Sequence, residues 1–499
     1  MNITPADTSQ DPIAKALRYQ TIYEGKEYNH LPDAWKERKD NAKRDYIPIR
    51  TRRPNVRLKL GKKICTTVSD FLMSSATFPA LTSDRDDLTA VVSWLRDNLL
   101  IKEIPGACTK ACVQGSVGIT FGFVRGKLIL RTFPRAQAWP VFDDADELLG
   151  LVVRYLATDP STGRAAWWRM TLDAKQEVWE KAEAALGSTI PPTENWQRVS
   201  ANDHGFGFVP AVWVRHLDRQ HGDPEGLSLL DDLDELLREV DYARSRQNRS
   251  LTYTADPQMV IQDTEPSKTK DTLVKSPAGT IVLGKDGKAY FVEINGKGIE
   301  LQAEFAKDLR REVLELARVV INDPEHLDGT AMSGFALRIL FEPQIKLCDR
   351  LKQDWEPAIV ELTNKILLGG KAALAKGAIR IPGFAEAVSR IAAPAEETET
   401  KSVAHPWLNG GAREWPIPAY VSGAVPVSLS WGAYFDASPG EEQTVMATAA
   451  AGSAAGIISE EAAVRMASRI TGESAETELV KIAAGRPEVV PIEKAPNAF

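Results

Sequence analysis

The chain has 499 residues, 43% hydrophobic and 26% charged, a composition that excludes disorder over most of its length and suggests roughly two to four packed units. Its 61 Lys+Arg against 68 Asp+Glu leave a formal charge of -7, which argues against a protein that coats nucleic acid. Four cysteines, Cys65, Cys108, Cys112 and Cys348, are too few to staple the chain, and no apolar run reaches the ~18 residues needed to cross a bilayer.

A reducing compartment, a soluble unsecreted protein and no membrane partner are therefore expected, Met1 to Asp11 having neither a basic start nor an apolar stretch. The charge is polarised along the chain. Residues 1–63 carry 15 Lys+Arg and 8 Asp+Glu, whereas residues 386–499 carry 8 and 15. Partners of opposite sign at the two ends, subunits meeting head to side, or plain solvated surface would each give this pattern.

In chain order, the basic stretch from Arg50 to Lys63 runs into helical spacing from Val56 to Phe71. Asp86 to Leu100 is predicted as an amphipathic helix through Leu88, Val91, Val92, Leu95 and Leu99, and Pro105 to Gly115 as a third. From Gly118 the pattern turns to short strands: Ile119 to Val124, Leu128 to Phe133, Ala138 to Phe142, Leu149 to Leu156, Trp167 to Thr171 and Val209 to Trp213. Turns at Arg125-Gly126, Asp143-Asp144 and Asp159-Pro160 make this a mainly antiparallel region.

Gly226 to Arg249 returns to helix, with Ser228 as a candidate cap and Leu230, Leu233, Leu237 and Val240 at helical intervals. An extended piece at Pro257 to Gln262 precedes a predicted hairpin of Thr280 to Leu283 with Ala289 to Val292 through Lys285-Asp286-Gly287-Lys288. The next helix carries Leu301, Phe305, Leu309, Val313, Leu316 and Val320 and is predicted to stop before Pro324. A long helix from Gly334 to about Leu368 holds Pro343 and Pro357 and is expected to bend. Residues 391–420 read as a proline-rich loop, Glu441 to Ala484 as an Ala-rich helical cluster, and the residues from Gly485 as a tail.

Catalytic signatures are absent from the sequence. Of seven Gly-Lys dipeptides none is followed by Ser or Thr, so there is no Walker A loop, and neither a Gly-x-Ser-x-Gly elbow nor a histidine pair at i, i+4 occurs. Cys108 and Cys112 share a helix face, but a structural zinc needs four ligands, and buried thiols are the better reading. The acidic cluster Asp143, Asp144, Asp146, Glu147 lacks the glycine of a calcium loop and reads as a turn between strands. Trp167-Trp168 places one ring in the core and one across an interface. No cofactor and no metal are expected.

The order of parts, an α+β chain of α/β region, long helix, small β insertion, second long helix, acidic loop, long helix and helical end, resembles the portal proteins of tailed double-stranded DNA bacteriophages of the siphophage type. The resemblance is carried by Tyr46-Ile-Pro-Ile-Arg-Thr-Arg-Arg-Pro-Asn-Val-Arg leading to Val68-Ser-Asp-Phe-Leu, and by Ala138-Trp-Pro-Val-Phe-Asp-Asp followed by Leu151-Val-Val-Arg-Tyr. His204-Gly-Phe-Gly-Phe-Val-Pro-Ala-Val, Gly226-Leu-Ser-Leu-Leu-Asp-Asp-Leu-Asp and Ser333-Gly-Phe-Ala-Leu-Arg follow. Leu429-Ser-Trp-Gly-Ala-Tyr-Phe-Asp and Gly456-Ile-Ile-Ser-Glu-Glu-Ala-Ala complete the series over about residues 46 to 470.

The resemblance implies a portal fold: residues 1–226 as N-terminal region and α/β wing, 227–250 as first stem helix, 251–298 as clip, 299–321 as second stem helix and 322–333 as tunnel loop. Residues 334–370 would be the long bent wing helix, 371–484 the wing return and crown, and 485–499 a flexible tail. It further implies a non-enzymatic ring, usually dodecameric, at one capsid vertex of the virion after assembly in the host cytoplasm. Through that ring double-stranded DNA is packaged and ejected. The implied partners are terminase, then a head-tail adaptor, and the major capsid and scaffolding proteins.

On this mapping Asp323, Glu325, His326 and Asp328 would line the DNA tunnel, and Lys285, Asp286 and Lys288 would dock terminase or adaptor. Seven acidic residues against four arginines between Gly226 and Asp256 would keep DNA phosphates from adhering to the first stem helix. Two other readings are an intracellular enzyme with an unrecognised acidic site around Asp143 to Glu147, and another head-tail connector protein such as an adaptor. Missing nucleotide, nucleophile and zinc signatures stand against the first, and the length and helix-insertion-helix order against the second. Assembly and stability are expected to be linked, because an isolated subunit would expose the apolar faces of its stem helices.

Overall fold

The computed structural model describes residues 11–32, 49–184, 191–192, 194–217, 224–255, 258–262, 288–292, 296–321, 334–377, 379–391, 399–408, 412–419, 425–435 and a few positions between 447 and 464. The chain divides into two units, Met1–His326 with Glu342–Gly432, and Leu327–Phe341 with Ala433–Phe499. The first unit carries all the sheets described below.

Helix α1 (Pro12–Glu24) starts where Asp11 accepts a hydrogen bond from the Ile13 N–H and ends at Gly25 in the left-handed region, a capped start and glycine stop. Helix α2 (Leu60–Met73) begins four residues later than its apolar spacing predicts. The reason is that the Val56 and Leu58 N–H groups are bonded to Ser245 Oγ and Asp241 Oδ1, holding that stretch extended. Strand β1 (Ala80–Ser83) precedes α3 (Asp86–Leu95), which passes through a π turn at Arg96–Leu100 directly into α4 (Ile101–Gln114). The two predicted helices are thus one rod. In the wider turn the Ile101 N–H reaches back to Arg96 O, just ahead of Pro105, whose ring removes a helical hydrogen bond.

Strands β2 (Ser116–Val124) and β3 (Lys127–Pro134) form a hairpin on Arg125-Gly126, both with positive φ, the two-residue turn whose twist suits paired strands. A five-stranded antiparallel meander follows: β4 (Ala138–Phe142), β5 (Leu148–Thr158), β6 (Ala165–Asp173), β7 (Gln176–Glu183) and β8 (Gln197–Asp203). The polar strands β7 and β8 carry no apolar alternation and are not predicted by the sequence. Strand β9 (Ala211–Arg215) adds to β2, giving the order β3-β2-β9. Leu151, Val153, Met170, Leu172, Val209 and Trp213 form a buried core between the sheets. Trp167 is buried and Trp168 half-buried.

Helix α5 (Asp234–Ala255) starts eight residues after Gly226, where the spacing predicts its start. Before it, Leu229 N–H donates to Cys112 O and the Ser228 hydroxyl to Val113 O, so these residues close the end of α4 instead of opening α5. Strands β10 (Gln258–Gln262) and β11 (Lys288–Val292) pair antiparallel, so the described partner of the 288–292 strand is the extended piece after α5. The predicted arm Thr280 to Leu283 lies outside the described residues. Helix α6 (Gly296–Leu316) ends well before Pro324. Arg318 turns left-handed and the Val319 N–H returns to Leu314 O, closing the helix without help from the proline.

Helix α7 (Gly334–Lys376) is continuous through Pro343 and Pro357 and extends past the predicted end. Helix α8 (Phe384–Ser389) follows, then a hairpin of β12 (Thr400–Ala404) and β13 (Ala412–Pro416) inside the stretch read as loop, and β14 (Val427–Ser430), which pairs with β1. Trp415 explains that hairpin: fully buried, it packs on Val141, Leu149 and Val152, over a position where only Gly150 leaves room. In the second unit the Phe341 and Phe435 rings meet edge to face at 5.5 Å. Most of the predicted helical cluster at 441–484 and the tail lie outside the described residues.

All four cysteines are buried and free. Beside them three backbone segments cross. The His216 N–H donates to Gly115 O at 2.8 Å, the Leu227 N–H to His216 O at 2.8 Å, and a Cβ on Gly226 would lie 2.2 Å from Gly115 O and 2.4 Å from the His216 nitrogen. Gly226→Ala is therefore expected to lower the urea midpoint by an amount equivalent to about 2–3 kcal/mol. Gly106→Ala, at an exposed position of α4 with nothing within 4 Å of the added methyl, should raise stability by up to about 1 kcal/mol. Equal midpoints for the two variants would contradict the crossing.

Candidate functional site

Helices α5 and α6 pack side by side, with the β10-β11 ladder closing one end of the pair. At 22 and 21 residues they are each ~32 Å long. Val240 and Ala243 of α5 and Ala306 and Val313 of α6 are buried, and Ser250 Oγ meets Gln302 Oε1 at 3.0 Å near the ladder end. Small side chains between the helices let their backbones approach closely.

The opening turns of α5 and the turn just before it are gripped by the basic N-terminal segment. Asp231 takes Lys15 at 2.9 Å and the Tyr19 hydroxyl, Asp234 takes Arg18 and Arg238, and Glu239 takes Arg50 at 2.7 Å. Buried Asp241 accepts the Leu58 N–H at 2.9 Å and the Tyr28 hydroxyl at 3.2 Å. The Tyr242 hydroxyl reaches Arg50 O, and Ser245 Oγ donates to Val56 O. The charge polarity seen in the sequence thus has an intramolecular use: positive residues from the start of the chain neutralise this helix. The expectation that the whole acidic excess of 226–256 faces passing phosphates is corrected accordingly, because four of those carboxylates are already engaged.

Helix α6 carries exposed carboxylates too, interleaved with exposed Lys307 and Arg311. Glu304, Asp308, Glu312 and Glu315 are exposed, with Arg311 reaching Asp308 at 2.9 Å. Next to this acidic stripe Leu301, Phe305 and Leu316 are 58%, 53% and 62% exposed, and at 3.6 residues per turn they fall within an arc of about 60°. An apolar stripe left in water on an otherwise charged helix is the mark of an interaction surface.

Asp323, Glu325, His326, Asp328, Lys285 and Asp286 lie outside the described residues, and Lys288 is the exposed first residue of β11, paired with Gln262. The acidic cluster is a turn. Asp143 Oδ1 accepts the Ala145 and Glu147 N–H groups at 2.8 Å, Asp146 pairs with Arg215 at 2.5 Å and Asp144 with Lys401 at 2.5 Å. The α6 stripe was visible in the sequence as Leu301, Phe305 and Leu316, but nothing in the spacing separates an exposed apolar face from a buried one.

No protein-family model and no curated protein matches the chain. Among solved structures, it is similar at 14% identity and a TM-score of 0.40 to a chain from the neck of an empty gene transfer agent particle computed with C6 symmetry, over 82% of this chain and 89% of that one. At 12% identity and a TM-score of 0.36 it is similar to a chain from the virion of a native gene transfer agent particle, over 61% and 77%. A chain from the neck of the native particle computed with C12 symmetry gives 11% identity and a TM-score of 0.36, again over 61% and 77%.

Burial lifts the Asp241 carboxyl to about 6, against the opposing pull of the Leu58 N–H, the Tyr28 hydroxyl and Arg57. Because its unfolded value is near 4, the native state holds the proton more tightly. This group therefore lowers stability as pH rises from about 4 to about 6, and the loss is complete above that range. Asp241→Asn removes the titration while keeping an acceptor for the Leu58 N–H. Relative to wild type it is expected to gain on the order of 2 kcal/mol between pH 4 and pH 7 in urea unfolding. Parallel pH profiles for the two proteins would contradict the assignment.

Proposed function

We propose that this chain is a portal protein, the subunit of a ring-shaped channel through which double-stranded DNA enters and leaves a phage-type capsid. The supporting observation is the α5-β10·β11-α6 arrangement: two ~32 Å helices with a small β element at one end, anchored on an α/β body, and bearing an apolar stripe beside an acidic one on α6. The order of sequence motifs from Tyr46 to Ala463 supports the same reading.

In this role the apolar stripe is the seam onto which the next subunit packs, and the carboxylates of α6 repel phosphate at the wall. A channel lined by several cations per subunit would instead hold DNA tightly and release it only at high salt. Asp323, Glu325, His326 and Asp328 extend the acidic wall at the tunnel loop, and Lys285, Asp286 and Lys288 form the docking tip for terminase and then for a head-tail adaptor. The body of the subunit meets capsid and scaffolding proteins. The chain performs no catalysis, and terminase supplies the energy of packaging.

The seam is tested by Phe305→Asp and Leu316→Asp. Each places a carboxylate where a neighbour's apolar surface would be desolvated, a cost of several kcal/mol per contact when repeated round a ring. Sedimentation velocity should show a large assembly for wild type and a folded monomer or small oligomer for the variants, with unchanged circular dichroism. Variants that sediment with the wild-type assembly would overturn the placement of the seam.

A further inference from the structure

On the five-stranded sheet, Arg154 of β5 lies directly opposite Arg169 of β6. Like charges facing each other across two strands destabilise a sheet unless something neutralises them. Both guanidinium groups donate to the same carbonyl, Trp407 O, Arg169 at 3.0 Å. The Trp196 ring lies 4.4 Å from Arg169 and 5.8 Å from Arg154, and the Trp407 ring 4.9 Å from Arg154, so aromatic faces wall the pair and screen it from water.

The charges do not balance. Arg169 has Glu180 at 2.6 Å, Arg135 has Glu225 at 2.5 Å and Arg413 has Asp173 at 2.8 Å. Among the described residues Arg154 has no carboxylate partner, and its Nε is buried without a hydrogen-bond partner. Burial, and after it Arg169, pushes its ionisation down to about 10. Nearby His405 is driven down to about 3, first by burial, with Arg154, Arg135 and Arg413 adding to it. The adjoining stretches 184–193 and 406–411 contain no Asp or Glu, and exposed Glu194 pairs with neither arginine.

We propose that Arg154, backed by Arg169 and walled by Trp196 and Trp407, receives a carboxylate from an acidic segment of a partner protein. A carboxylate gives the half-buried guanidinium the opposite charge and the charge-assisted hydrogen bond that the neutral Trp407 carbonyl does not supply. A nucleic-acid backbone does not suit the place, because Glu180, Glu183 and Glu194 interrupt any line of cations there. The site is independent of the α5-α6 surface and stands whether or not that surface builds a ring.

The test is thermal unfolding of the full chain during titration with a triglutamate peptide, against inorganic phosphate, with ionic strength held constant by sodium chloride. Binding to the native state alone raises the midpoint with saturation. The expected result is a saturable rise of a few degrees with triglutamate and none with phosphate. Arg154→Met should weaken the apparent affinity at least tenfold, and Arg164→Met, at an exposed arginine in the turn between β5 and β6, should leave it unchanged. Absence of a saturable shift in wild type overturns the proposal, as does an equal shift with phosphate or an undiminished response in Arg154→Met. Should the methionine variant fail to fold, Arg154→Lys keeps the charge but not the fork and is expected to show the same loss.

Discussion

A helix whose opening turns carry Asp234, Glu239 and Asp241, with Asp231 in the turn just ahead of it, can pack into a protein body only if each carboxylate finds a cation or a donor, because a buried unpaired charge costs several kcal/mol. Here those partners come from the first sixty residues of the chain: Lys15, Arg18 and Arg50, the Leu58 N–H and the hydroxyls of Tyr19 and Tyr28. This clasp fixes where α5 leaves the body. The Gly115, His216 and Gly226 crossing holds the segment just before it, and α6 then packs back along α5. With the α5 carboxylates engaged inside the subunit, the surface of α6 is left exposed, and its apolar and acidic stripes follow from its sequence spacing.

Much of this was legible in the amino-acid order where burial imposes a period. Strands β2 to β6 and β9 alternate or run apolar, and their turns carry Gly, Asp or Pro, so they were found within three residues. Strands β7 and β8 were not, because Gln176 to Glu183 and Gln197 to Asp203 lie on a largely solvated edge and need no apolar period. The start of α5 was misplaced for the opposite reason. Leu230, Leu233, Leu237 and Val240 keep helical spacing through turns that are not helical, and what decides the boundary is Ser228 bonding to the end of α4, more than a hundred residues earlier.

The interactions that position α5 and the Arg154 pair join distant stretches. Lys15 and Asp231 are 216 residues apart and Arg154 and the Trp407 carbonyl 253. The sequence displayed a basic beginning and an acidic helix, yet nothing local says that the two meet, and the acidic turn at Asp143 to Glu147 looked equally capable of holding an ion. The exposed stripe on α6 had the same spacing a core helix would have. Its exposure became visible only when its partner helix was seen to bury Ala306 and Val313 instead.

The central claim is that these subunits close into a conduit, and imaging tests it most directly. Negative-stain class averages of the purified protein, viewed down the particle axis, should show a ring of about twelve subunits around an open hole, the closed cyclic symmetry that a head-to-tail seam generates. Compact dimers or tetramers without a channel, seen across a range of salt concentrations, would contradict it.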